Sequence, residues 1–184
     1  MTEKNWEQLI TFIDDAIYDK EYKRIINATI QPNREGLISL PAAKSHHHNY
    51  MGGLLDHTLE VLDIVSVACE FDKGIDHDLA CSGAILHDIG KLRTYKFVGG
   101  EIIKTFQDKY HGHFIIGVQL LHQYTKFNEF EIFDLKKVDQ IAHIIESHHG
   151  LVSDGLGSIC DPQTPEANLV HYADLLSARV GGKK

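Results

Sequence analysis

The stretch Gly83-Ala84-Ile85-Leu86-His87-Asp88-Ile89-Gly90-Lys91 decides how this chain is read. It closes an apolar run, Leu79, Ala80, Ala84, Ile85 and Leu86, which predicts a buried helix over Asp78–His87. Gly90 is expected to stop that helix in the manner of a C-cap. A His-Asp pair at the end of a buried helix is costly unless both groups find partners. A divalent cation satisfies both together, and imidazole with carboxylate suits manganese, iron, nickel, cobalt or zinc better than calcium.

Outward from this pair, more candidates lie on separate predicted helices. His57 falls in Leu54–Phe71, His113 in Gly112–Tyr124, His148 and His149 just after Leu135–Ser147, and Asp174 in Pro165–Ala178. The order H…HD…H…HH…D, at separations of 30, 26, 35 and 26 residues, fits facing helices that line one pocket. One ion would take His57, His87, Asp88 and Asp174. A second could take His113 and His148, with or without His149, and Asp88 as the bridge. Two such ions can hold a phosphate and generate hydroxide at neutral pH. Asp174 or Asp88 could orient the water. Lys91 offers a cation for charge developing on a phosphoryl oxygen, although a lysine after a helix end is also favoured by the dipole.

The rest of the chain predicts helices over Asn5–Tyr18 and Glu21–Ile30, and a connector over Pro32–Pro41. Gly99-Gly100 permits a small β-hairpin near Phe97–Ile103, and Gly150–Thr164 reads as a loop. The expected fold is all-α, a helical bundle with that hairpin. It forms a single domain over residues 1–184, in which a helical extension (1–40) precedes a metal-binding core (41–180). The apolar stripe of the first helix reads as core or as a homodimer surface.

These residues carry a resemblance. The chain resembles the HD superfamily of metal-dependent phosphohydrolases through Leu86–Lys91, with His57 upstream and Asp174 downstream. Within it the chain is similar to the HD domain of YhaM-type 3′-5′ exoribonucleases. That similarity rests on PAAKSHHHNYMGGLLDHT (Pro41–Thr58), GAILHDIGK (Gly83–Lys91), HGHFIIG (His111–Gly117), HIIESHHG (His143–Gly150) and PEANLVHYADLLSA (Pro165–Ala178). Pro41–Thr58 also resembles an HD-like domain of conjugative relaxases. The resemblance implies a phosphohydrolase or phosphodiesterase that cleaves a nucleotide or short nucleic acid with metal-activated water. The OB-fold of the YhaM-type enzymes is expected to be absent. Two other readings are a di-iron HD-fold oxygenase and a non-catalytic binding or regulatory module.

Composition narrows the partners. The formal charge is -8 with histidine neutral, and aromatic residues make up 9%. This argues against a broad basic nucleic-acid surface and favours a small phosphate ester or nucleotide, or short single-stranded RNA, over long RNA. His47, His48 and Lys44 are candidate substrate contacts, with Arg179 a weaker one. His47 or His48 could also protonate the leaving group. His111, His122, His143 and His171 are assigned to structure or to support of the ligands. Three cysteines without a CxxC pair, no signal pattern and no membrane-length apolar run suggest a cytoplasmic protein with reduced thiols and no membrane partner. Cys69 and Cys81 read as buried filler.

Overall fold

The computed structural model describes residues 2–43, 48–128 and 131–180. The helices are α1 (Thr2–Ala16), α2 (Lys20–Ile30), α3 (Arg34–Ser39), α4 (Gly53–Phe71), α5 (His77–Leu86), α6 (Lys91–Thr94), α7 (Phe106–Tyr124), α8 (Leu135–Ser147) and α9 (Pro165–Val180). Among the described residues one antiparallel pair, β1 (Tyr95–Val98) and β2 (Glu101–Lys104), lies between α6 and α7. The all-α expectation with one hairpin is borne out. Val98 pairs with Glu101 across Gly99-Gly100, both at positive φ, as a two-residue turn requires.

Short polar side chains start the helices. Asp19, Asp76, Thr105 and Asp134 accept backbone N–H bonds at the first turns of α2, α5, α7 and α8. One hydrophobic core joins them, from Trp6, Leu9 and Ile13 of α1 through Leu54, Leu55 and Leu62 of α4 to Ile141 and Ile145 of α8 and Val170 of α9. The apolar stripe of α1 is therefore spent on the core of its own chain. Asp78 ties the N-terminal helices to α5 by accepting the backbone N–H groups of Tyr18 (2.9 Å) and Asp19 (2.6 Å). Cys69 and Cys81 are buried free thiols, as expected. Among the described residues no helix is long and apolar enough to cross a membrane.

Three local expectations need correction. Part of the predicted connector is helical: Gln31–Asn33 is a 3-10 turn and α3 follows. Helix α3 is six residues long and buries only Leu37, too little for a periodic signal. Helix α7 begins at Phe106, and its first residues are mostly exposed. It kinks at Gly112, whose backbone (φ 65, ψ 170) is open to glycine alone. Gly90, finally, is not the C-cap of α5, a place taken by His87. The Gly90 φ of -65 and ψ of -22 are ordinary right-handed values. Glycine is needed there for space, because a Cβ would sit 1.9 Å from the His113 carbonyl oxygen and 2.6 Å from the Gly117 nitrogen. The chain after α5 thus runs backbone-to-backbone against α7, which brings His113 to Asp88.

Candidate metal centre

Five elements deliver the polar cluster. His57 lies on α4, His87 and Asp88 at the end of α5, and His113 just past the α7 kink. His148 and His149 follow α8, and Asp174 lies on α9. The ligand atoms of His57, His87 and Asp88 lie within 4.8 Å of one another, and so do those of His113, His148 and His149. Asp88 stands between the two groups. Its Oδ2 is 3.3 Å from His87 Nε2 and 3.6 Å from His57 Nε2. Its Oδ1 is 3.6 Å from His113 Nε2 and 3.7 Å from His148 Nε2. Asp174 spans the same gap from the other side, with Oδ1 3.0 Å from His57 Nε2 and Oδ2 3.9 Å from His149 Nε2.

The outward ring nitrogens are already engaged. His87 Nδ1 bonds the Ala84 carbonyl (2.8 Å), His148 Nδ1 that of Ile145 (2.7 Å) and His149 Nδ1 that of Leu156 (2.7 Å). His57 Nδ1 meets Ser177 Oγ at 3.0 Å. A neutral imidazole that donates from Nδ1 carries its lone pair on Nε2. The Nε2 atoms of the cluster converge, at 3.3 Å for His57 and His87 and 3.4 Å for His113 and His148. Asp88 Oδ1 is buried with no hydrogen-bond partner. Facing lone pairs beside an orphaned carboxylate oxygen are unfavourable alone and well suited to cations. The donor set fits divalent metal ions.

Electrostatics agree. Burial pushes His57 and His148 down and lowers His113 to about 3. His87 rises despite its burial because Asp88 adjoins it. Burial also opposes charge on Asp88 and Lys91, yet each holds the other ionised across a contact of 2.5 Å, with His87 helping to lower Asp88. Partial burial opposes charge on Asp174, yet the carboxyl is lowered by the imidazoles around it, foremost His57, whose Nε2 lies 3.0 Å away.

A pH dependence follows for protein stripped of metal. The unfolded His113 imidazole takes up a proton near pH 6.5, whereas the folded one refuses it until about 3. The unfolded state therefore binds more protons in that window. The stability due to this group is complete above pH 6.5 and is lost as pH falls through the window. His57 and His148 act in the same direction and His87 opposes them. The urea midpoint of chelator-treated protein should fall on acidification from pH 7 to 4; a flat or rising midpoint would contradict these burial effects.

The HD domain profile matches residues 54–179. The chain belongs to the HD domain family. HD domains bind divalent metal ions, and the His/Asp cluster is present in this one. The TraI_2 profile matches residues 3–73. Among curated proteins, this HD domain chain is similar to the 3′-5′ exoribonuclease YhaM of Oceanobacillus iheyensis, 32% identical over 177 residues. That match covers 95% of this chain and 54% of the relative. It is likewise similar to the YhaM proteins of Shouchella clausii (32% over 169 residues; 89% and 50%) and Bacillus subtilis (30% over 160 residues; 86% and 48%). The chain spans about half the length of these relatives. No solved structure matches it.

The structure thus brings together His57, His87, Asp88, Lys91, His113, His148, His149 and Asp174. Lys44 and His47 lie outside the described residues. His48 is buried beside the cluster, its ring 5.8 Å from that of His57, with Nδ1 on Tyr50 Oη (3.0 Å) and Nε2 on Glu60 Oε2 (3.1 Å). His143 accepts the backbone N–H of Gln163, and His171 Nδ1 bonds the His148 carbonyl. Sequence reasoning missed Glu60 and Ser177, which join His57 to His48. Their only sequence signal is position, three residues after His57 and three after Asp174, on the same helix faces.

Proposed function

We propose that this chain is a metal-dependent phosphohydrolase that cleaves an ester bond in a nucleotide or short single-stranded nucleic acid. One observation carries the reading: the Asp88 carboxylate turns one oxygen to each histidine pair. We assign His57, His87, Asp88 and Asp174 to one cation and His113, His148 and His149, with Asp88 as the bridge, to a second. Divalent cations bound there supply Lewis acidity and lower the pKa of water. Manganese, iron, nickel, cobalt and zinc all suit these donors.

The protein's own groups have separate tasks in this reading. The Nδ1 bonds of His57, His87, His148 and His149 hold those imidazoles in one tautomer. Asp88 is committed to Lys91, so Asp174, the more open carboxylate, orients the attacking water. Lys91 remains a partly exposed cation beside the cluster for a phosphoryl oxygen. The core shared by α1 and the later helices supports treating residues 1–184 as one domain, with 1–40 as a helical extension on the 41–180 metal-binding core.

The relatives' name supports nucleic acid as the substrate class, and so does local charge, which the chain-wide value of -8 hides. Residues 91–111 hold five of the 18 Lys and Arg and only two of the 26 Asp and Glu. Phe106 and Tyr110 are exposed there with ring centroids 4.3 Å apart, and Lys109 Nζ is 5.6 Å from the Tyr110 ring. Exposed aromatics among lysines suit unpaired bases and phosphates. The comparisons favour neither the oxygenase nor the non-catalytic reading.

A manganese-supplemented panel of aryl phosphodiesters, nucleotides and a labelled short RNA tests the proposal. Turnover that stops on chelation is expected, with RNA shortened from its 3′ end. Phe106→Ala with Tyr110→Ala should weaken RNA binding on the order of tenfold or more. No turnover of any ester with manganese, iron or nickel would overturn the proposal.

A further inference from the structure

We infer that Glu60 is a positioning residue that acts through the Ser177 hydroxyl to keep the His57 proton on Nδ1, leaving Nε2 free to bind a cation. The inference rests on the metal-site reading above. Glu60 Oε2 accepts from Ser177 Oγ at 2.9 Å, and Ser177 Oγ lies 3.0 Å from His57 Nδ1. The hydroxyl has one proton. The Glu60 carboxylate has none to give, so the Ser177 proton goes to Glu60. The hydroxyl then presents a lone pair to His57, which must donate from Nδ1. Its Nε2, facing His87, Asp88 and Asp174, is left as the donor atom.

The fold builds this relay from one helix pair. Glu60 lies one turn after His57 on α4, and Ser177 one turn after Asp174 on α9. The two ligands and the two relay groups therefore share one helix contact.

The same Glu60 oxygen takes His48 Nε2 at 3.1 Å. Among the described residues, His48 alone of the non-glycines has positive φ, at 59°. Its carbonyl accepts from Ala42 N at 2.9 Å, and its Nδ1 meets Tyr50 Oη, which donates to Asp56 Oδ2 at 2.7 Å. A Cβ on Gly53 would stand 2.1 Å from the His48 oxygen. Strained backbone of this kind persists where its surroundings over-determine it. Glu60 thus serves two structures at once, the tautomer of a ligand and the anchorage of the segment before α4.

Glu60→Gln, Glu60→Ala and Ser177→Ala test the relay in the zinc-loaded protein. Zinc affinity, read by transfer to a competing chelator, should fall about 10- to 100-fold in Ser177→Ala and Glu60→Ala. Glu60→Gln keeps shape and removes charge, so it should fall between them and the wild type. Nitrogen-15 NMR of the histidine side chains should find the His57 proton on Nδ1 in the wild type. Affinities within twofold of wild type in all three variants, or a wild-type proton on Nε2, would overturn the relay. A protein that takes up no zinc would instead overturn the metal-site reading. The wild-type tautomer of His57 would then decide the relay alone.

Discussion

Asp88→Asn is expected to abolish turnover, by on the order of a thousandfold or more, and to strip metal from both halves of the centre. The amide keeps the shape of the side chain and loses the charge that faces four imidazoles. It also leaves the mostly covered Lys91 ammonium without its carboxylate, a loss of about 3 kcal/mol in stability. A second variant separates the two effects. Asp88→Asn with Lys91→Met removes both charges, so folding should recover while metal does not return. Metal analysis and a urea melt on the pair read this directly. Full metal and full activity in Asp88→Asn would remove the bridge from the account. His113→Ala is the milder companion: it should deplete only the half formed with His148 and His149.

Gly90→Ala should be nearly as damaging, for a steric reason. The new Cβ would fall 1.9 Å from the carbonyl oxygen of His113 and 2.6 Å from the backbone nitrogen of Gly117. Neither is the tip of a flexible side chain, so α7 must move. The expected loss is about 3 kcal/mol, or on the order of 10 °C in melting temperature for a chain of this length. Movement of α7 also draws His113 away from Asp88, so the His113–His148–His149 half should bind metal more weakly. A variant that melts like the wild type and keeps its metal would show that this close approach does not hold the centre together.

The legible parts of this fold were those with strong patterns. The apolar runs of α4, α5 and α8 mark buried helices, and the boundaries of α8, Leu135–Ser147, match the periodicity. Gly99-Gly100 announced the hairpin through backbone freedom alone. Helix α3 and the first turn of α7 were illegible because they bury little, so no periodic face marks them. At the cluster, the residue types and their order pointed to one pocket. Two things were hidden: that Asp88 divides its oxygens between two histidine pairs, and that Glu60 and Ser177 stand behind His57. Both depend on which helix faces which. Gly90 shows the same limit, since its sequence context suggested a cap while its role is set by a chain 23 residues away. Net charge is silent on local distribution. A chain-wide sum of -8 cannot reveal that residues 91–111 are locally basic.

The central claim is that Asp88 bridges two cation sites. Anomalous diffraction from crystals of the manganese-loaded protein tests it most directly. The account predicts two anomalous peaks, one on each side of the Asp88 carboxylate, the first among His57, His87 and Asp174 and the second among His113, His148 and His149. Peaks elsewhere on the protein, or none beside Asp88, would contradict it.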